Sequence, residues 1–158
     1  MKELVAIADK IAASLIERRQ TIAVAESSTG GLISAALLAV PGASAYFVGS
    51  AVVYTRDARR ILMDIPDDAM KGIRSASEVY AKLLASQIRD RFSSDWGLSE
   101  TGATGPAGNR YGDAAGHSCM AVAGPNHAVL TLETGSADRQ TNMHEFAKTA
   151  LNLLLKNL

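Results

Sequence analysis

Two stretches of this sequence combine residue types and spacing that could do chemistry. The first is Ala25-Glu26-Ser27-Ser28-Thr29-Gly30-Gly31, between a short β-branched apolar run and an apolar helical run. A strand-to-helix turn of this kind aims backbone N–H groups at one spot, which suits a phosphate or a developing oxyanion. Its hydroxyls could bond a ligand or act as nucleophile. Equally, Ser or Thr ahead of a helix caps free N–H groups and does nothing more, and the residue types alone leave both readings open. The Gly-Lys-Ser/Thr ending of a P-loop is missing, so nucleoside-triphosphate hydrolysis is not indicated. The second stretch is Thr101-Gly102-Ala103-Thr104-Gly105-Pro106-Ala107-Gly108. Its regularly spaced glycines let a backbone approach a ligand closely, but no helical pattern follows, and a tight surface loop is the simpler reading.

The remaining reactive side chains are less suggestive. His117, His127 and His144 show no ligand spacing. The lone cysteine, Cys119, rules out an internal disulfide and a multi-cysteine zinc site, and its apolar neighbours suit a buried structural thiol. Arg56, Arg59 and Arg60 read as a solvated helix face, with an anion clamp as the second reading.

The elements that must position these residues follow from hydrophobic periodicity. Leu4, Ile7, Ile11 and Leu15 predict an amphipathic first helix. Thr21–Ala25 predicts a buried strand, Leu32–Val40 a helix stopped by Pro41-Gly42, and Tyr46–Tyr54 a second strand. A helix is expected over Asp57–Met63 and a short one from Pro66. Val79, Tyr80, Leu83, Leu84, Ile88 and Phe92 mark a long helix, and Trp96-Gly97-Leu98 a third strand. Gly102–Gly116 reads as a Gly-rich loop, His117–Ala123 and Ala128–Leu132 as a hairpin, and Asp138 to the end as a last helix. Strands alternating with helices, and ending in a hairpin, argue for a layered α/β domain with a mixed sheet.

Composition narrows the function. The chain has 158 residues, enough for one domain with a substantial core, and 47% are hydrophobic, too many for disorder. Aromatics are only 5%, so the core is built from Ala, Val, Ile and Leu. Sixteen basic and 16 acidic side chains balance to zero, which argues against a nucleic-acid partner. Met1-Lys2-Glu3-Leu4 is unlike a signal peptide, and Leu32–Val40 is too short to span a bilayer. A cytoplasmic protein without membrane attachment is expected.

Taken in order along the chain, these segments resemble the C-terminal domain of the CinA (competence- and damage-inducible) family. Ala25–Gly31 matches the family's Ala-Glu-Ser-x-Thr-Gly-Gly, and Pro41-Gly42-Ala43-Ser44-Ala45-Tyr46-Phe47 matches its small-residue loop before an aromatic strand. Tyr54 matches the tyrosine closing that strand, Thr101–Gly108 the Gly-Pro loop, and Asp138-Arg139 the start of the last helix. The resemblance implies one domain over 1–158, with a three-layer α/β/α fold, a mixed, mostly parallel sheet and a homo-oligomer. It implies hydrolysis of the carboxamide of nicotinamide mononucleotide to nicotinate mononucleotide and ammonia, with no metal and no cofactor. Ser27 would be the nucleophile, with Ser44 in reserve and Tyr54 and the residue at 59 beside it. Thr29, Gly30 and Gly31 would offer N–H groups. Ser28, Arg139 and the loop bearing Gly102, Thr104, Gly105 and Gly108 would hold the ribose or phosphate.

The chain departs from the family pattern in four places. Arg59 stands where active members carry a lysine paired with the serine, and arginine, with a pKa above about 12, is a poor general base. Asp113-Ala114-Ala115-Gly116 replaces Lys-Pro-x-Gly, Met143 replaces an arginine, and Arg74-Ser75-Ala76 replaces Val-Ser-Glu. Two readings result: an active amidohydrolase, or a paralogue that binds a nucleotide or serves as a scaffold without the chemistry.

Overall fold

Alternation along the first strand sets up the layers. In β1 (Ile22–Glu26), Ile22 and Val24 join one buried cluster while Ala23 and Ala25 join another. Such period-two patterning places successive side chains on opposite faces of a sheet. The computed structural model describes all residues from Met1 to Leu158. Its chain order is α1 (Lys2–Arg18), β1, α2 (Leu32–Leu38), β2 (Phe47–Val52), α3 (Arg56–Met63), α4 (Glu78–Phe92), β3 (Trp96–Ala103), β4 (His117–Ala123), β5 (Ala128–Glu133) and α5 (Arg139–Asn157). Two 3-10 turns, Ala43–Ala45 and Asp67–Met70, complete it.

The five strands lie in the order β2-β1-β3-β4-β5. One face carries α1, α2 and α5, packed through Leu4, Ile11, Ile33, Phe146 and Leu151 on Trp96, Leu98, Met120 and Val122. The other carries α3 and α4, where the sheet presents mainly Ala23, Ala25, Ala51 and, further along, Cys119, Ala121 and Ala123. These small side chains let α4 sit very close to the sheet. A Cβ on Gly97 would lie 2.0 Å from the Ala85 carbonyl, so only glycine fits there. The expected α/β/α layering and mixed sheet are therefore present. Parallel pairing, however, does not predominate: β2-β1-β3 are parallel and β3-β4-β5 antiparallel. The antiparallel half contributes as many strand pairings as the parallel half, two each, because β3 serves both halves of the sheet.

Most expected elements are present with small shifts of boundary. β3 is the larger difference, running to Ala103 and so taking Gly102 out of the presumed loop. Each residue from Gly97 to Ala103 has a partner on β4, and this ladder overrides the low strand propensity of glycine. In α4 the buried stripe is Tyr80, Ala81, Leu84, Ala85 and Ile88, while Val79 faces solvent. Cys119 is buried, as its neighbours suggested, and burial pushes its thiol pKa up. No helix is long and apolar enough to cross a membrane.

Candidate functional site

Because β1, β2 and β3 run parallel, their carboxyl ends share one edge of the sheet. That edge is where ligands bind in open α/β sheets. Three segments meet there: Ser27 and Ser28 after β1, Tyr54 after β2, and Thr101–Ala103 ending β3. A cavity of about 260 Å³ is lined by Ser27, Tyr54, Arg59 and Gly102. A second, of about 230 Å³, is lined by Ser28, Thr104, Gly105, Gly108 and Arg139. The two share Tyr54, Gly102 and Asn109, so they form one cleft. Arg139 joins their walls: it donates to the Gly105 carbonyl at 2.8 Å and to the Tyr54 hydroxyl at 3.3 Å.

Ser44 does not reach this cleft. It is exposed in the Ala43–Ala45 turn ahead of β2, whereas Tyr54 follows β2. The six residues of β2, at about 3.3 Å each, separate the two ends of the strand. Within one chain, Ser44 and Ser27 lie on opposite edges of the sheet.

The serine turn is organised from beneath by two buried carboxylates. Glu26 accepts from the N–H groups of Gly31, Ile33 and Ser34 and from the Thr29 hydroxyl. Glu100 accepts from the Ser27 and Thr29 N–H groups at 3.1 and 3.0 Å. It also accepts from the hydroxyls of Ser28 at 2.5 Å and Ser118 at 2.9 Å. Both carboxylates are fully buried. Burial raises the Glu100 pKa, and the bonds from Ser28, Thr29, Ser118 and Ser27 offset that only in part.

This arrangement revises the expected oxyanion donors. The Thr29 and Gly31 N–H groups are taken by Glu100 and Glu26, and that of Gly30 by the Ser27 carbonyl at 3.2 Å. The Ser28 N–H is the one in the Ser27–Gly31 turn with no acceptor in the chain. Met143 packs over this turn; a Cβ on Gly30 would lie 3.2 Å from its methyl group.

Arg59 is not on a solvated face. Its residue is 5% exposed, and its guanidinium donates to the Ile65 carbonyl at 3.3 Å and to Asp67. Thr55 caps α3 by accepting from the Ala58 N–H at 3.1 Å and so fixes the turn from which Arg56 and Arg59 project. Tyr80 also lines the cleft, and burial pushes its hydroxyl pKa up to about 12.

Reading the sequence missed Glu100, Asn142 and the His117 cluster. Glu100 had one signal, a single acid inside the run Trp96–Ala103. Asn142 donates to the Thr104 and Ser136 carbonyls, both at 2.8 Å, and so ties α5 to the Gly-rich loop. His117 is buried, with Nδ1 on Glu133 and Nε2 2.8 Å from the Ala76 carbonyl. No group of three or more His, Cys, Asp or Glu side chains is placed to hold a metal ion.

The fold and the cleft define an α/β/α domain with a candidate site at the carboxyl ends of three parallel strands. The chain belongs to the CinA family: it matches the CinA C-terminal domain over residues 4–158. A CinA-like protein of Gloeobacter violaceus is 40% identical over 154 residues, covering 96% of this chain and 36% of its own. One from Acidobacterium capsulatum is 36% identical over 141 residues, covering 89% and 34%. The chain thus spans about a third of the length of the curated relatives it matches. Among solved structures, a competence-damaged protein (CinA) superfamily protein from Escherichia coli aligns at TM-score 0.92 and 23% identity, covering 98% of this chain and 90% of that one. A competence/damage inducible protein from Agrobacterium tumefaciens aligns at 0.88 and 26% identity, covering 98% and 94%.

Proposed function

We propose that this chain hydrolyses the carboxamide of nicotinamide mononucleotide, releasing nicotinate mononucleotide and ammonia. The observation that supports it is the single cleft joining Ser27, Tyr54 and Gly102 to the Gly-rich loop and Arg139. The Ser27 Oγ attacks the amide carbon, its proton passes to the departing nitrogen as the C–N bond breaks and ammonia leaves, and water then cleaves the ester, releasing the carboxylic acid and returning a proton to Ser27. The Ser28 N–H faces the developing oxyanion in this reading. Thr104, Gly105, Gly108 and Arg139 hold the ribose phosphate. The partner is this small molecule, with neither nucleic acid nor membrane involved. The protein works in the cytoplasm as a homo-oligomer.

A second reading is favoured by Arg59. Its guanidinium is committed to the Ile65 carbonyl and to Asp67, and arginine as a residue type is a poor general base. A chain with such a group in place of an amine base would bind the nucleotide and not turn it over. The deciding experiment is ammonia release from nicotinamide mononucleotide by the purified protein, with ligand-induced thermal stabilisation on the same sample. Turnover that disappears in Ser27→Ala supports hydrolysis. Stabilisation without turnover supports the binding reading. Neither signal sets both aside.

A further inference from the structure

We infer that the Ser27 cavity is built to hold a carboxylate, received by the free edge of the Arg59 guanidinium and by the Tyr80 hydroxyl, so that the preferred ligand carries an acid in place of an amide. The nucleotide identity of that ligand rests on the reading above; the carboxylate site does not.

Three arginines, Arg56, Arg59 and Arg110, line this cavity of about 260 Å³, and no Asp or Glu does. Arg59 is the buried one of the three. Its Nε donates to the Ile65 carbonyl at 3.3 Å and its Nη2 to Asp67, which fixes the planar group through two of its three nitrogens. Nη1 has no acceptor in the chain. Tyr80, the third residue of α4, is 4% exposed. Its N–H is held by the Ser77 cap at 3.2 Å, while its hydroxyl has no partner in the chain. Every fully enclosed side-chain nitrogen or oxygen in this protein has a hydrogen-bond partner. Two groups without one, both on buried residues, are therefore open to the cavity that both residues line. The Arg59 charge acts at the Tyr80 hydroxyl, so the two groups are neighbours.

Both groups donate toward an anion: a guanidinium has no acceptor, and a phenol turns its proton to suit. A carboxylate offers each of them an oxygen and brings the negative charge that the lining lacks. A carboxamide offers one oxygen and an NH2, and the NH2 has nothing to give to a guanidinium. Asp67 neutralises Arg59 from outside this lining, and Arg56 and Arg110 have no carboxylate partner in the chain. The cavity therefore keeps a positive surplus. In the hydrolytic reading the acid product is the tighter ligand; in the binding reading the acid is the ligand itself.

The test is calorimetric titration of the intact protein with nicotinate mononucleotide and nicotinamide mononucleotide, and with benzoate and benzamide, which differ in the same group without a nucleotide. Ser27→Ala is titrated in parallel, so that turnover of the amide cannot supply the acid. Each acid should bind at least about tenfold more tightly than its amide. Tyr80→Phe removes an oxygen that bonds nothing in the chain, so its thermal melt should match wild type. Its affinity for the acid should fall at least about fivefold, and that for the amide less. Arg59→Gln, with its fold verified by a thermal melt, should lose the preference for the acid. Equal affinity for acid and amide in whichever pair binds overturns the site, as does a Tyr80→Phe protein that holds the acid as tightly as wild type. Benzoate bound through Tyr80 with neither mononucleotide bound upholds the site and sets aside the pyridine-nucleotide reading alone. No binding of any of the four overturns both.

Discussion

The Arg74 guanidinium reaches 39 positions along the sequence to hold both carboxylate oxygens of Asp113: Nη1 donates to Oδ2, and Nη2 to Oδ1 at 3.1 Å. Each residue on its own is a departure from the CinA pattern, one a cation gained and the other a cation lost. In the fold they are the two halves of one ion pair, closing the segment before α4 onto the loop that carries Arg110. Asp113 is well covered and its carboxyl is held below the usual range; burial opposes this, and the bonds from Arg74 and Asn109 outweigh it.

The pair should be measurably coupled. Arg74 is partly exposed, so solvent screens the interaction, and a coupling of about 0.5–1 kcal/mol is expected. Urea denaturation of Arg74→Ala, Asp113→Ala and the double variant measures it. A cycle that closes at zero would mean that Asn109 holds the loop unaided.

Replacing Arg59 by lysine should separate binding from chemistry. Lysine can lose its proton in a buried site, whereas arginine keeps it. Ammonia release from nicotinamide mononucleotide should rise at least about tenfold in Arg59→Lys, for a gain of about 1.4 kcal/mol in transition-state stabilisation. Stability should fall by about 1 kcal/mol, because lysine replaces a fork that bonds both Ile65 and Asp67. Brisk turnover by wild type, with no change in the variant, would show that position 59 needs no free amine.

Glu100 gives opposite outcomes for two substitutions. In Glu100→Gln the amide oxygen can still accept from the Ser27 and Thr29 N–H groups, and its NH2 can donate to the Ser28 and Ser118 hydroxyls, which rotate to accept. The variant should stay within about 1 kcal/mol of wild type, because every buried donor keeps a partner. Glu100→Ala leaves those donors unmatched and should cost about 2–4 kcal/mol. Chemical denaturation at neutral pH compares them, and equal losses would contradict the account.

His117 should make stability fall as pH rises. Burial alone would lower its pKa. The bonds to Glu133 and the Ala76 carbonyl, with the charges of Asp113 and Glu133, more than offset this, and the net shift is upward. Arg74, which neutralises Asp113, and the Cys119 thiol 3.7 Å from Nε2 are the other ionisable groups close to this cluster. A folded pKa above the unfolded value of about 6.5 means that the contribution is complete below that pH. It is lost as pH climbs through the folded value. Denaturation midpoints for wild type should decline across that window, and those for His117→Asn should decline less. Parallel slopes would remove His117 as the cause.

Local patterns in the sequence determined the inventory of elements. Apolar spacing at three and four residues marked α1, α4 and α5. Short β-branched runs marked β1 and β2, and Gly124-Pro125-Asn126-His127 marked the hairpin. Those signals act over a few residues, so they survive in a linear reading. The placing of Ser27, Tyr54 and the Gly-rich loop near one another came from resemblance, and three parallel strands supply its geometric reason. Other features depended on contacts between distant positions. Glu100 meets Ser28 across 72 residues, and Arg74 meets Asp113 across 39. β3 extends through Gly102 because β4 pairs with it, and Ser44 is separated from Ser27 because β2 carries the chain from one edge of the sheet to the other. Arg59 is buried because the segment at Ile65 and Asp67 folds back over α3. Propensity and periodicity carry no information about which strand lies beside which, or which charge meets which. Those pairings are set when the two layers of helices close on the sheet.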